Sequence, residues 1–145
     1  MSKRSRNYRR LKRWLERAKG WTFNEIGGRL ILDAHPDVFK QALDSGYFDR
    51  EEQELDIAID SRFNEPSILY EGLGKTPSSA KRIGLRLMSQ LAHAWRDRLA
   101  VDYPNLEWTM YVQEHVGTLT LYYFNRRIVP QNAELVLTSA SRVHR

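Results

Sequence analysis

The chain has 145 residues, of which 41% are hydrophobic and 28% charged, and it contains no cysteine. This length and composition are typical of one globular domain with a hydrophobic core, and the lack of cysteine excludes disulfide bonds, thiolate zinc sites and cysteine nucleophiles. No apolar run approaches the roughly 18 residues of a membrane-spanning helix, and no apolar segment follows the basic N-terminus as in a secretory signal, so we expect a cytoplasmic protein.

Charge is distributed unevenly along the chain. Residues 1–20 contain nine bases and one acid, Glu16, whereas residues 21–145 contain 14 bases and 17 acids, so a segment of charge +8 precedes a body of charge −3. Crowding like charges costs self-repulsion, which a polyanionic partner would relieve. We interpret residues 1–20 as a basic arm, 21–138 as a single α+β domain and 139–145 as a polar tail.

The arm has the pattern of an amphipathic helix over residues 7–19. Ser5 or Asn7 can cap its start, Gly20 can end it at the C′ position, and residues 1–6 are expected to form a loose basic lead-in. At 100° per residue, one arc of about 120° holds the apolar side chains, which are Tyr8, Leu11, Trp14, Leu15 and Ala18. The opposite side holds Arg9, Arg10, Arg13 and Arg17.

Arginine outnumbers lysine six to three in the arm, and a guanidinium group matches two phosphate oxygens at once. The arm therefore favours a nucleic-acid partner, and in composition it resembles the arginine-rich RNA-binding peptides of phage antiterminators. Two alternatives stay open, a helix on a membrane surface and a solvated basic face on a docked helix. The predicted contacts in the arm are Arg4, Arg6, Arg9, Arg10, Arg13 and Arg17.

The first half of the body predicts a strand, a helix and two more strands. Gly27-Gly28 separates two apolar runs as in a hairpin, with Arg29–Ala34 as the better strand. A helix is expected between His35 and Gly46, because Pro36 suits its first turn and the apolar residues recur at helical spacing. Glu54–Asp60 alternates as a half-buried strand does, and Ser67–Tyr70 is a short strand.

The second half predicts a long helix over residues 78–101, which Thr76 caps with Pro77 in its first turn. Strands are expected at Leu106–Gln113, Thr118–Phe124 and Glu134–Leu137, with Trp108 and Met110 in the core and Tyr111 and Tyr122 on the other face. The order β-α-β-β-α-β over residues 29–113 resembles the ferredoxin-like arrangement. The predicted fold is thus α+β: a basic N-terminal helix, then a ferredoxin-like antiparallel sheet with two main helices and one or two extra strands.

A second basic stripe is expected on the long helix. Arg82, Arg86, Ser89, His93 and Arg96 share an arc of about 80° and span about 21 Å, which is long enough to follow a nucleic-acid backbone, although an ordinary solvated face has the same pattern. Lys75 precedes this helix and could hold a single phosphate at its N-terminus. A Walker A loop is not expected, because Leu69 stands where its first glycine is required.

No pattern of a catalytic or metal site is found in the sequence. Asp56 and Asp60 share one face of a predicted strand, but carboxylates on a solvated strand face are common, and the four histidines show no metal-ligand spacing. A nucleophile elbow is also missing. We therefore expect a non-enzymatic protein without cofactor.

The sequence predicts a protein that binds nucleic acid, RNA or DNA, or a nucleoprotein complex, through the arginine-rich helix. Lys75, Arg82, Arg86 and Arg96 are the expected additional contacts. The alternative is a stoichiometric protein-binding inhibitor or adaptor, such as a phage-type factor that docks on a host nucleoprotein machine. In that alternative, the basic helix occupies a groove meant for nucleic acid or binds an acidic protein surface. The apolar stripe Leu11, Trp14 and Leu15 packs on the body of the chain or contacts a protein partner.

Overall fold

The computed structural model describes residues 2–26, 29–33, 40–42, 44–46, 66–124 and 129–139. These residues form a mixed structure of helix and antiparallel sheet. The helices are α1 (Lys3–Lys19) and α2 (Pro77–Asp102), and residues 40–42 are also helical. The strands are β1 (Thr22–Ile26), β2 (Arg29–Asp33), β3 (Ser67–Leu69), β4 (Thr109–His115), β5 (Thr118–Phe124) and β6 (Leu135–Thr138).

The strands form two separate sheets. β1 and β2 pair as an antiparallel hairpin, with Phe23 opposite Leu32, and the other four strands form an antiparallel sheet in the order β3-β5-β4-β6. The ferredoxin-like prediction placed the strand that begins at Arg29 in the main sheet, whereas here it pairs with β1. The hairpin predicted between these two apolar runs is confirmed, but alternation did not predict the order of the strands in the main sheet. The predicted strand Glu54–Asp60 lies outside the described residues.

Helix α1 begins four residues earlier than predicted. The Ser2 side chain accepts a hydrogen bond from the Ser5 backbone N–H at 3.1 Å and is the N-cap, so residues 3–6 are the first turn of the helix and not a loose lead-in. The helix ends at Lys19, and Gly20 follows with φ of −87°. Gly20 therefore ends the helix as predicted, but without the left-handed conformation of a C′ glycine.

Helix α2 begins as its sequence predicted. Thr76 Oγ1 accepts from the Ser79 backbone N–H at 3.0 Å, Ser79 Oγ accepts from the Thr76 backbone N–H at 3.1 Å, and Pro77 is the first helical residue. This reciprocal capping box satisfies two backbone donors at the helix start.

The core lies between α2 and the four-stranded sheet. Trp95, Met110, Val112 and Leu121 are fully buried there, and Trp108 is nearly so, as predicted. The helix approaches the sheet closely at Gly84, where a β-carbon would lie 2.9 Å from side-chain atoms of Leu119 and Tyr70.

Tyr111 and Tyr122 stack on each other with ring centroids 5.2 Å apart. They lie opposite each other on β4 and β5, on the face that does not carry Met110. Their placement on the face opposite Trp108 and Met110 is as predicted, and Tyr111 is only 7% exposed there.

Helix α1 packs against the body through its apolar side. Leu15 and Ala18 are fully buried. The Trp95 indole donates to the Ala18 carbonyl at 2.9 Å, and the Arg98 guanidinium donates to the carbonyls of Lys19, at 2.6 Å, and Trp21. Lys12 contacts Gln90 one to two turns earlier in both helices. Because later residues of α1 contact later residues of α2, the two helices lie side by side and run in the same direction.

Candidate nucleic-acid interface

The outward side of α1 is the most basic surface that the structure describes. All six arginines of the arm, Arg4, Arg6, Arg9, Arg10, Arg13 and Arg17, are exposed. Within the described part of the chain, none of these arginines forms an ion pair. Glu16, the one acid of this segment, pairs instead with Lys19 at 3.1 Å. Their positive charge is thus available to a ligand.

Four of these arginines form a straight row, which we call the arginine row. Arg6, Arg10, Arg13 and Arg17 follow each other at spacings of four, three and four residues, so they lie within an arc of about 60° and span about 16 Å. The row includes Arg6 because the helix already begins at Lys3. The sequence prediction assigned Arg6 to the lead-in and therefore did not place it on this face.

The basic stripe predicted on α2 is only partly available. Arg82 and Arg86 are exposed and have no acidic partner among the described residues. Arg96 lies 3.4 Å from the carboxylate of Asp97, and its side chain is 30% exposed. His93 Nδ1 lies 2.7 Å from the carbonyl of Ser89 one turn earlier, so this polar ring atom is engaged within the helix. The available part of the stripe is the N-terminal half of α2.

The two basic surfaces are adjacent. Lys12 Nζ donates to Gln90 Oε1 at 3.4 Å across the contact between α1 and α2. Because the helices run side by side, Arg82 and Arg86 flank the same outer surface as α1. The structure thus brings together two groups of bases that are about 70 residues apart in sequence.

Lys75 lies in the loop that leads into α2. It is exposed and lines an open pocket of about 460 Å³ with Gly72, Gly74 and Thr76. A β-carbon at Gly74 would lie 2.4 Å from Ser79 Oγ and 2.6 Å from the Ala80 nitrogen, so the loop packs tightly on the helix start. Thr76 and Ser79 already occupy two backbone donors there.

A network of charged side chains links α2 to the far end of the sheet. The Tyr70 hydroxyl donates to the carboxylate of Glu114, and Lys81 Nζ lies 3.4 Å from Glu114 and 2.5 Å from Glu134. The hydrogen bond from Tyr70, together with Lys81, holds the pKa of Glu114 below its ordinary value. The hydrogen bond to Glu134 raises the pKa of Lys81, and the hydrogen bond to Glu114 raises that of Tyr70. These groups satisfy one another, which indicates a structural role.

The described residues contain no group of three His, Asp or Glu side chains that could hold a metal ion. Asp56 and Asp60 lie outside those residues. No described helix is long and apolar enough to cross a membrane.

The apolar stripe proposed as a protein-binding surface is mostly internal. Leu15 is fully buried in the core, and Leu11 and Trp14 are half-buried against it. The prediction that a partner contacts all three is therefore wrong for Leu15, because the body of the same chain covers it.

A cleft between α1 and the edge strand β3 was not predicted from the sequence. It has a volume of about 390 Å³ and is lined by Asn7, Arg10, Leu11 and Trp14 on one side and by Ser67–Leu69, Glu71 and Leu73 on the other. The cleft depends on how α1 docks, which no local pattern reveals.

No protein-family model matches the chain, and no match was found among the curated proteins or the solved structures.

Proposed function

We propose that the protein is a non-enzymatic, cytoplasmic nucleic-acid-binding protein that contacts the phosphate backbone through the arginine row. The observation that carries this proposal is a row of four exposed arginines without acidic partners, Arg6, Arg10, Arg13 and Arg17. Arg9 lies beside the row, and Arg4 projects from the other side of the helix. Arg82 and Arg86 add exposed positive charge on the neighbouring helix α2.

Preorganisation supports this function. Trp95 and Arg98 fix the C-terminal end of α1 through three hydrogen bonds to the carbonyls of Ala18, Lys19 and Trp21. A fixed helix presents its arginines without first losing backbone freedom, and binding then costs less entropy than it would for a disordered tail.

The chemistry of the surface favours phosphates over bases as the recognised groups. Of the described aromatic side chains, only Tyr8 is exposed, at 39%, and it lies on the apolar arc of α1 and not beside the arginine row. Single-stranded binding without sequence preference relies on several stacking aromatics, whereas arginines bind the phosphates that RNA and DNA share. We therefore expect both nucleic acids to bind with little sequence preference.

The alternative of an inhibitor or adaptor has less support, since Leu15 of its proposed contact surface is buried. In the version of this alternative that is left, an acidic protein surface or a nucleoprotein binds to the arginine row.

The test is the salt dependence of binding, measured by fluorescence anisotropy on a DNA duplex and on single-stranded RNA. If the row neutralises four phosphates, the logarithm of the association constant falls against the logarithm of salt concentration with a slope of about −3.6 on duplex DNA and about −2.8 on single strands. Binding that is absent at low salt on both ligands would contradict the proposal and favour the protein partner.

A further inference from the structure

Strand β3 is an outer strand of the main sheet, and among the described strands it pairs only with β5. In the ladder with β5, the Pro66 carbonyl accepts from the Leu121 N–H at 2.9 Å, and the Tyr70 N–H donates to the Gly117 carbonyl at 3.1 Å. Backbone groups alternate in direction along an antiparallel strand. The N–H and C=O groups of Ser67 and Leu69 therefore point away from β5, and no described residue forms a hydrogen bond with them.

These outward groups face the cleft beside α1. Ser67 and Leu69 form part of its wall, and the Leu69 side chain is 69% exposed. Proteins usually cover an edge strand or block it with proline or charge, because it is a template for pairing with another chain. Here α1 stands beside the edge and leaves a gap of about 390 Å³.

The positive charge beside the cleft favours an acidic occupant. Arg10 lines the α1 wall, opposed by a single acid, Glu71, and the rest of the arginine row continues along the same helix. Trp14 and Leu11 add apolar surface below the guanidinium group. A strand with alternating side chains can direct acidic groups to one side and apolar groups to the other.

We propose that this cleft binds an extended acidic peptide of a partner protein, which adds to the sheet as a fifth strand beside β3. Its backbone pairs with the outward groups of Ser67 and Leu69, as in known strand-addition complexes, and an acidic side chain meets Arg10. The protein would thereby link a peptide partner to the ligand that binds the outer face of α1. The site shares Arg10 with the arginine row, but its backbone pairing with Ser67 and Leu69 does not depend on nucleic-acid binding.

The test begins with a display library of random dodecapeptides selected on the full-length protein. Selected peptides should be rich in acidic and β-branched residues. Their affinity is then measured for the wild type and for two variants, Leu69→Pro and Leu69→Thr. The Leu69 N–H takes no part in the β3–β5 ladder, so proline removes an outward donor and leaves the ladder intact, while threonine keeps that donor.

We expect Leu69→Pro to weaken peptide binding at least about tenfold, which corresponds to the loss of one backbone hydrogen bond at the upper end of its usual net value. Leu69→Thr should change it much less, and both variants should bind nucleic acid as the wild type does. A second readout changes only the peptide, by methylating its backbone nitrogens one at a time. Since only alternate N–H groups of an added strand point toward β3, methylation should abolish binding only at alternate positions.

Three results would overturn the proposal: a library that yields no peptide, equal binding by the proline variant, or N-methyl effects without alternation. None of them bears on the arginine row, whose failure is recognised separately by the missing salt dependence.

Discussion

Arg98 is the residue on which the position of α1 most depends. Its guanidinium group donates to the carbonyl of Lys19, the last helical residue, and to that of Trp21 just beyond the helix. The Lys19 carbonyl is one of those that a helix end leaves without intrahelical partners. The arginine therefore acts as a clamp between α2 and the turn that leads into β1.

We expect Arg98→Met to destabilise the protein by about 2 kcal/mol, since two charge-assisted hydrogen bonds are lost and two carbonyls lose their partner. The matched control is Arg96→Met on the same helix, which breaks only a 3.4 Å contact with the exposed Asp97 and should cost within about half a kcal/mol. Urea unfolding measures both. Equal losses for the two variants would contradict the clamp.

Glu114 is expected to make the stability of the fold depend on pH. The Tyr70 hydroxyl and then Lys81 stabilise its carboxylate, so its pKa is lower in the folded protein than the ordinary value of 4.5. A group with a depressed pKa contributes stability that is present above the unfolded value and is lost as pH falls through the folded value. The raised pKa values of Tyr70 and Lys81 act in the opposite direction, and their contribution is lost at strongly alkaline pH.

Glu114→Gln should accordingly be less stable than the wild type between neutral pH and about pH 5, and the difference should shrink below about pH 4.5. Thermal unfolding of both proteins across this range measures the effect. A stability difference that stays constant down to pH 3 would show that the carboxylate charge is not its cause.

At the scale of elements, the start of α2 is determined by a local sequence signal. Thr76 and Pro77 predicted the start of the helix, and the structure adds the return bond from Ser79. Ser78 belongs to the same turn, is exposed and forms no hydrogen bond through its side chain with the described residues. The chain thus offers a pair of variants that differ only in the cap.

Thr76→Ala should destabilise the protein by about 1 kcal/mol, since it removes the acceptor of the Ser79 N–H. Ser78→Ala should be neutral or slightly stabilising, because alanine is the better helix former. Chemical unfolding curves of both variants give the comparison. A Ser78→Ala loss as large as that of Thr76→Ala would mean that the capping box does not stabilise α2.

The elements also show where prediction from sequence ends. Periodicity and caps predicted α2, β5 and the hairpin strands closely, because these signals are local. The predicted start of α1 was wrong because the first turn, with Arg4 and Arg6, contains no apolar residue that would extend the amphipathic pattern. The helix starts there because Ser2 caps it. The pairing of β1 with β2 was predicted from the glycines between them, whereas the strand order of the main sheet was not, because alternation gives the face of a strand but not its neighbour. The cleft beside β3 was missed for the same reason, as it depends on tertiary contacts.

Across the whole molecule, the uneven distribution of charge along the sequence places most of the positive charge on one helix, α1. The arm of charge +8 is fixed on a body of charge −3, and the apolar side of α1 is part of the common core. A like-charged helix is thus held in place by burial of Leu15 and Ala18 and by the carbonyl bonds of Trp95 and Arg98. Self-repulsion along the arginine row remains, and binding a polyanion relieves it.

The central claim is tested most directly by one variant in which the four residues of the arginine row, Arg6, Arg10, Arg13 and Arg17, are all replaced by glutamine. The control is Lys40→Gln, a substitution of an exposed base elsewhere. All five positions are exposed, and glutamine is nearly as good a helix former as arginine, so circular dichroism and unfolding should change little. Association with duplex DNA and with RNA is measured against salt for both variants. We predict that the four-glutamine protein loses most of its affinity and of its salt slope, whereas Lys40→Gln behaves as the wild type. Unchanged affinity and slope in a folded four-glutamine protein would contradict the claim, because the arginines would then be only a solvated face.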